Sequence, residues 1–447
     1  MEDIFSMEVE SREYLFDFVT SPLKKYLQEF LEETKILPRT AKSVIKTYGS
    51  CRYEGEKGKD IDIAIITESR IDRIDFFKYI QKKNEEIKNN DIKKMFDIMV
   101  IPDAYVPILT FKIIKDANNS ANSKTISVDL VLIRTTIDPN KFNERINILN
   151  DGFIIKTLCD EESKRSISGL RSWVWMDQYM EKNKYYMNYD IFMKALKVIK
   201  EWARRRQIYG AKYGYPGGIA WCFMLFDVYK KCNDNHINNE NPIDLLFQFF
   251  ETYCCHHQLA NWKKKNDVPI IISINSDHNI DQGKKRNSVI TSYLQIWTPT
   301  IPDINSTYSV SKYALKNIIH EFEKLKDVVK SKDKKLLLIN ILKRDYNIFD
   351  EFTHFIKIGF KNDVIPEIKE IGLLQSRLHK LTKKIEKSCH DIESIRLLNG
   401  SFHDHYFIGI KNKQKINLTN VINEFKLKDI QTISNKVFIV NRKITSN

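Results

Sequence analysis

The spacing of apolar positions changes period along the chain, and the changes divide it. Leu23, Tyr26, Leu27, Phe30 and Leu31 recur on one helix face and stop before Pro38. Ser21 followed by Pro22 predicts that helix's start, an N-cap with proline at the first helical position. Residues 43–66 read as strand, loop, strand, and polar, lysine-rich sequence without a predicted element follows to about Lys94. Apolar runs at 96–101, 106–114 and 126–133 predict three more strands, the last two joined by a polar hairpin loop over 116–124.

From about Lys141 the period turns helical. Phe192, Ala195, Leu196, Ile199, Trp202 and Ala203 make one face of a long helix predicted to end near Tyr209. The run Gly214–Gly218 then breaks the chain ahead of an apolar helix, and polar loops are expected at 232–242 and 275–288. Beyond about Asn347 strands and helices alternate as β-α-β-β-α-β, with strands at 354–360, 394–398, 406–410 and 436–440. The expected fold is therefore α+β and multidomain, divided as 1–150, 151–346 and 347–447.

Composition narrows the partners. Lys and Arg number 72 against 58 Asp and Glu, a net charge of +14 that favours a polyanion. Clusters at Lys263-Lys264-Lys265, Lys284-Lys285-Arg286 and Lys380, Lys383 and Lys384 carry part of it. Abundant Lys, Asn and Ile also match an AT-rich genome, as in some viruses and protists. The acidic N-terminus has no signal-peptide core and no apolar run reaches membrane length, so a soluble intracellular protein with no membrane partner is expected. The seven cysteines are scattered and form no Cys-x-x-Cys pair, which suits a reducing compartment.

The chemistry concentrates in GSCRYEGEKGKDID, residues 49–62. On a strand Asp60 and Asp62 point to one side while Ile61, Ile63 and Ile65 point to the other. Two adjacent carboxylates repel unless a cation lies between them, and hard divalent ions take oxygen ligands. Gly49 and Ser50 would offer backbone N–H groups and a hydroxyl to a phosphate. A bare Asp-x-Asp equally fits a solvated strand edge. A third carboxylate, Asp129 in ISVDLVL, alternates away from Val128, Leu130 and Leu132 and could share that sheet face; Asp97 in MFDIMV is the next candidate.

Several motifs in order then carry a resemblance. YGSCRYEGEKGKDID, VPILTFKI with SVDLVL, ALKVIKEWARRRQIYG running into YGYPGGIAW, and TPTIPDINSTYSVS together resemble eukaryotic-type poly(A) polymerases of the polymerase-β nucleotidyltransferase superfamily. The resemblance covers about 21–443. It implies a polymerase-β-like catalytic domain with a mixed sheet, a helical middle domain closing over ATP, and an RRM-like RNA-binding domain. The implied reaction adds AMP from ATP to RNA 3′ ends without a template, with two Mg2+ or Mn2+ ions. It assigns Asp60, Asp62 and Asp129 as catalytic metal ligands, and Tyr48, Gly49, Ser50, Glu56, Lys200, Tyr209, Gly218, Ile219 and Thr298 to ATP. It also implies the nucleus as location, or the host cytoplasm for a viral chain.

Two departures stand out: Ser168 replaces an asparagine before Gly169, and Ser309 an asparagine linked to RNA. Without the motifs, Lys200 reads as a snorkelling lysine, Tyr209 as core packing and Gly217-Gly218 as a tight turn. Cys254-Cys255-His256-His257 reads as packing, since adjacent residues close a zinc tetrahedron poorly. His403, Asp404 and His405 are expected in a solvated loop. The alternatives are a related terminal nucleotidyltransferase with another nucleotide or primer, and a catalytically silent RNA-binding subunit.

Overall fold

The structure is a computed structural model of the 447-residue chain. It describes residues 12–34, 42–49, 61–86, 95–102, 106–115, 124–183 and 189–443, the last stretch without 236, 238–240, 258, 260–261, 263–268, 275–291, 302, 343–350, 353, 390–391, 399–404 and 413–416. The basic clusters at 263–265 and 284–286, the loop 116–123 and residues 403–404 lie outside the described residues. Two compact units form, Met1–Asn183 with Thr298–Ile304, and Lys184–Trp297 with Asn305–Asn447.

The first unit opens with helix α1 (Arg12–Glu33), followed by strands β1 (Ser43–Tyr48) and β2 (Ile61–Glu68), helix α2 (Arg73–Glu86), and strands β3 (Met95–Ile101), β4 (Ile108–Lys115) and β5 (Lys124–Thr135). Short helices α3 (Arg145–Leu149) and α4 (Asp151–Thr157) and the long α5 (Glu161–Lys182) complete it. The sheet runs β1-β2-β5-β4-β3. It is mixed, because β2 and β5 are parallel while the other pairs are antiparallel.

The alternation read from the sequence builds two unequal faces. Ile63, Ile65, Leu109, Phe111, Val128, Leu130 and Leu132 join Leu23, Leu27, Phe30, Phe76, Phe77 and Ile80 in one core. On the opposite face a second core forms at the far ends of β2 and β5, with Val44 of β1 and Ile108 of β4 added to it. There Ala64, Ile66, Val131 and Ile133 pack with Ile167, Leu170 and Val174 of α5. Each fully buried Ile or Leu contributes roughly 1.5–3 kcal/mol. A one-residue slip would exchange those side chains for carboxylates, so the register of both strands is locked.

Two expectations need correction here. Pro22 lies inside α1 and does not open it. Apolar spacing already begins upstream at Leu15 and Phe18, and a proline removes one helical hydrogen bond without forcing a start. The lysine-rich stretch before Lys94 contains α2, capped by Asp72, whose Oδ1 accepts from the N–H groups of Ile74 and Asp75 at 2.9 and 3.0 Å. Its buried stripe of Phe76, Phe77 and Ile80 is short and sits among charges that mask the period.

In the second unit α6 (Tyr189–Arg205) is followed by α7 (Gly218–Asp234), α8 (Pro242–Glu251), the parallel pair β6 (Ile270–Ser273) and β7 (Leu294–Trp297), and α9 (Lys312–Glu323), α10 (Lys326–Lys330) and α11 (Lys334–Ile341). Trp202 sits at the centre of this part, its ring 5.8 Å from Trp221, 5.1 Å from Phe250 and 5.0 Å from Phe322. The long helix ends at Arg205, four residues before the predicted Tyr209.

The C-terminal elements of this unit are β8 (His354–Phe360), α12 (Ile368–Ser388), β9 (Ile392–Leu397), β10 (Tyr406–Asn412), α13 (Thr419–Lys428) and β11 (Val437–Lys443). The sheet order β11-β8-β10-β9 makes this a split βαβ arrangement, in the element order read from the sequence. It is joined to the preceding helices by buried polar contacts. Arg396 and Glu321 are both about fully buried (1% exposed), with two guanidinium nitrogens each 3.1 Å from Glu321 Oε1. Arg396 also donates to the Arg206 carbonyl at 2.6 Å, and Asn317 to the Ile395 carbonyl at 2.9 Å.

His405 is not a solvated loop residue. It is half-buried, and its ring lies 5.5 Å from that of Phe438. Cys254 and His257 behave as packing groups. Cys254 Sγ donates to the Phe322 carbonyl, and burial raises its pKa and pushes that of His257 down to about 4. Among the described residues no group of three His, Cys, Asp or Glu could hold a metal ion.

Candidate active site

In the first unit the strand register lines up the polar face. Tyr48 on β1 pairs with Asp62 on β2, Asp62 with Asp129 on β5, and Asp129 with Thr110 on β4. The two aspartates are therefore side by side, half-buried, on the face whose other end is covered by α5. Adjacent strands lie about 4.8 Å apart, so the carboxylates are close enough to share a cation. Asp60, Ser50 and Glu56 lie outside the described residues.

Gly49 closes this row. Its φ of 77° belongs to the left-handed region, and a methyl built on it would overlap Asp62 Oδ2 and sit 3.1 Å from the carboxyl carbon. The glycine thus brings bare backbone against a carboxylate, which no other residue permits there. Gly49→Ala should cut nucleotidyl transfer by at least about a hundredfold, since a misplaced site commonly loses that much. Primer extension beside a thermal melt checks this, and a variant with near-normal rate would show that the approach is unimportant.

Gly169 has a related role, because a methyl there would come within 2.8 Å of Tyr48 Cε2. Ser168, in place of the expected asparagine, is buried, and its hydroxyl has no hydrogen-bond partner among the described residues. Two residues further along α5, Arg171 is fully buried. It donates to the carbonyls of Ile148 at 2.6 Å and Leu149 at 3.2 Å, to Asp151 Oδ1 at 2.6 Å and to the Ile301 carbonyl. Burial draws the pKa of its guanidinium down, while Asp151 pulls the other way. Arg171 and Asp151 thereby tie the segment 298–304 into this unit. Thr298 sits in that segment, with its hydroxyl accepting from Ile304 N–H at 2.8 Å.

Asp97, the reserve ligand, is not in the row. It is on the edge strand β3, and its Oδ2 accepts from Lys112 Nζ at 2.8 Å.

Lys200, Tyr209, Gly218 and Ile219 belong to the second unit. Lys200 projects from α6, is 6% exposed, and has no ion-pair or hydrogen-bond partner among the described residues. A methyl built on Gly218 would be 2.8 Å from Tyr209 Oη and 3.9 Å from Lys200 Nζ, so the three converge. The ring of Tyr209 carries the Arg204 guanidinium at 4.6 Å. Helix α7 begins at Gly218 after Gly217, with no side-chain cap on its first N–H groups. Those donors and the buried lysine are groups of the kind that could hold an anion.

Ser309 is 1% exposed and lines a cavity of about 10 Å³ with Tyr215, Asn317 and His379. Neither Ser309 Oγ nor His379 Nδ1 has a hydrogen-bond partner among the described residues, and the volume suits one water. Sequence reasoning placed Gly169 and Arg171 in a motif without giving them a role, and missed Arg396 and Glu321. Only the company of charged residues with apolar neighbours signals them, and that pattern is common.

Comparison with known families supplies the class first. The model described as the poly(A) polymerase nucleotidyltransferase domain matches residues 5–173, and that described as the poly(A) polymerase central domain matches 191–340. Together they span well over half of the chain, which belongs to the poly(A) polymerase family of the polymerase-β nucleotidyltransferase superfamily. Poly(A) polymerase pla1 of Schizosaccharomyces pombe is 25% identical over 388 residues, 82% of this chain and 61% of that one. Nuclear poly(A) polymerase 4 of Arabidopsis thaliana is 22% identical over 442 residues, 93% of this chain and 54% of that one. The chain thus spans somewhat more than half the length of these relatives. Among solved structures, the Cid1 poly(U) polymerase is similar with a TM-score of 0.47 and 12% identity, covering 77% of this chain and 97% of that one. Among the described residues no helix is long and apolar enough to cross a membrane.

Proposed function

We propose that the chain is a polynucleotide adenylyltransferase, transferring AMP from ATP to the 3′-hydroxyl of an RNA without a template and releasing pyrophosphate. The observation that carries this reading is the in-register pair Asp62 and Asp129 beside the bare backbone of Gly49. Their oxygens fit a hard divalent cation, Mg2+ or Mn2+, and Asp60 would complete a set for two ions. When bound, such ions offset phosphate charge and lower the pKa of the attacking hydroxyl.

The protein's own residues bind and orient. Asp129, on the β4 side, serves the attacking hydroxyl, and Asp62 serves the α-phosphate. Gly49, Ser50 and Tyr48 border the phosphates and sugar, and Glu56 contacts the nucleotide. Lys200 and Tyr209 meet the triphosphate, Gly218 and Ile219 the nucleotide, and Thr298 the adenine. The C-terminal split βαβ part would hold RNA, chiefly through backbone phosphates, so its binding should weaken steeply with salt. A nuclear location follows the relatives' naming, and the host cytoplasm would suit a viral chain.

Lys200→Ala should raise the KM for ATP by about tenfold and slow turnover. The basis is loss of a charge-assisted hydrogen bond of roughly 1.5–3 kcal/mol. Steady-state kinetics with ATP as varied substrate measures this, and unchanged constants would remove Lys200 from the site. The reading as a whole is tested by extension of an RNA primer with each NTP separately, in Mg2+ and in Mn2+. Addition of A residues from ATP is expected. Preference for UTP, or no extension with either ion, would overturn it.

A further inference from the structure

The polar face does not end at Asp129. Beyond Thr110 the next residue of β4 on the same side is Lys112, which pairs with Ser127, two residues before Asp129 on β5. Two residues along a strand span roughly 7 Å, so Lys112 occupies the adjacent row of the carboxylate face. The pairing of β3 with β4 is irregular at this point. Register shifts between Phe96 and Met99, and Asp97 within the shift has φ 52°. That bulge turns Asp97 towards β4, where it holds Lys112 at 2.8 Å.

A bulge at a sheet edge beside a site commonly re-aims one side chain. A non-glycine residue in the left-handed region costs free energy, although aspartate tolerates it better than most. The ion pair offsets little of that cost, because its side chains are 45% and 27% exposed and exposed pairs are weak. Stability therefore does not account for the arrangement. The two sides of the row also differ. Gly49 and Tyr48 lie on the β1 side, where the reading above sets the nucleotide, which leaves the β4–β3 side for the incoming strand.

We propose that Lys112, oriented by Asp97, binds a backbone phosphate of the RNA primer near its 3′ end, on the Asp129 side of the site. Lysine suits this task as a compact point charge that follows a phosphodiester without reading bases. Asp97 is a positioning residue, keeping the flexible side chain laid across the face. This inference rests on the adenylyl-transfer reading.

The test is steady-state kinetics with an oligo(A) primer and ATP, each varied in turn, together with anisotropy of a labelled primer across a salt series. Lys112→Ala should raise the primer KM by about tenfold, far more than kcat falls, with the ATP KM moving less than twofold. Its log–log salt slope for primer binding should fall by about one, the signature of a single lost phosphate contact. Lys112→Arg should restore most of the primer KM. Asp97→Asn should raise the primer KM less, and add almost nothing in the Lys112→Ala background. Lys112→Gln keeps the side chain's length and serves if the alanine variant melts early. An unchanged primer KM and salt slope, or an ATP KM rising in parallel, would overturn the inference. A wild-type chain that extends no primer with ATP would sink the adenylyl-transfer reading itself. Normal wild-type extension with indifferent Lys112 variants sinks only this proposal.

Discussion

Asp62→Asn and Asp129→Asn should each lower adenylyl transfer by on the order of a thousandfold or more, while the proteins melt at or slightly above the wild-type temperature. The loss has the scale of removing a preorganised group that acts on developing charge. It should exceed that of any substitution at Lys200 or Tyr209, which the proposed function sets at the triphosphate. Retained stability follows from the register. Both side chains leave a half-buried polar face, and neither belongs to the cores on either side of the sheet. Removing one of two adjacent negative charges even relieves repulsion when no cation is bound. Asparagine keeps the volume and one oxygen, so the test isolates charge. Extension of a labelled primer, read beside circular dichroism melts, decides it. Asp129→Asn working within tenfold of wild type would remove Asp129 from the reaction.

The second large effect is on folding. Arg396→Ala should destabilise the second unit by about 3–5 kcal/mol, the usual cost of leaving one member of a buried ion pair alone. Glu321 is 1% exposed, and its Oε1 takes both Arg396 bonds. Lys324, 3.0 Å away, and Arg206, at 3.9 Å, compensate only partly. Arg396→Met combined with Glu321→Leu should recover much of the loss, because a packed apolar pair needs no desolvation. Urea denaturation of the three proteins measures this. Equal stability of Arg396→Ala and wild type would mean the pair is not structural. The same contacts bear on dissection at about residue 346. A fragment ending there keeps Glu321 but loses Arg396, so its solubility must be established before its RNA binding is interpreted.

The row of carboxylates was legible because strands alternate. IDIAII and SVDLVL each place one acid among apolar residues of opposite parity, and that parity alone puts Asp62 and Asp129 off the core. The C-terminal element order was legible for the same reason, through short alternating runs between two helical ones. Helix α2 was not, since three buried residues among lysines and glutamates give too weak a period. Pro22 misled because proline marks helix starts statistically, while local spacing continued through it. Lys200 could be singled out only by the motif around it, and its burial is a property of the folded chain. The partners of Arg171 and Arg396 are distant in sequence. Arg171 reaches a carbonyl 130 residues away, and Arg396 a carboxylate 75 residues away. No local window contains such pairs. The bulge at Asp97 is equally silent, because an aspartate in an apolar strand looks like a ligand until its backbone is seen.

The return of residues 298–304 to the first unit has a consequence for synthesis. A chain released only as far as Asn183 contains the sheet and α5 but not the carbonyl of Ile301 that Arg171 requires. At about 5–20 residues per second, the missing segment follows some ten seconds later, after the second unit's first three helices, α6 to α8, have been made. Until then a buried guanidinium lacks one acceptor, and Asp151 alone neutralises it. The unit that is first in sequence is thus completed only after the opening helices of the other have been synthesised.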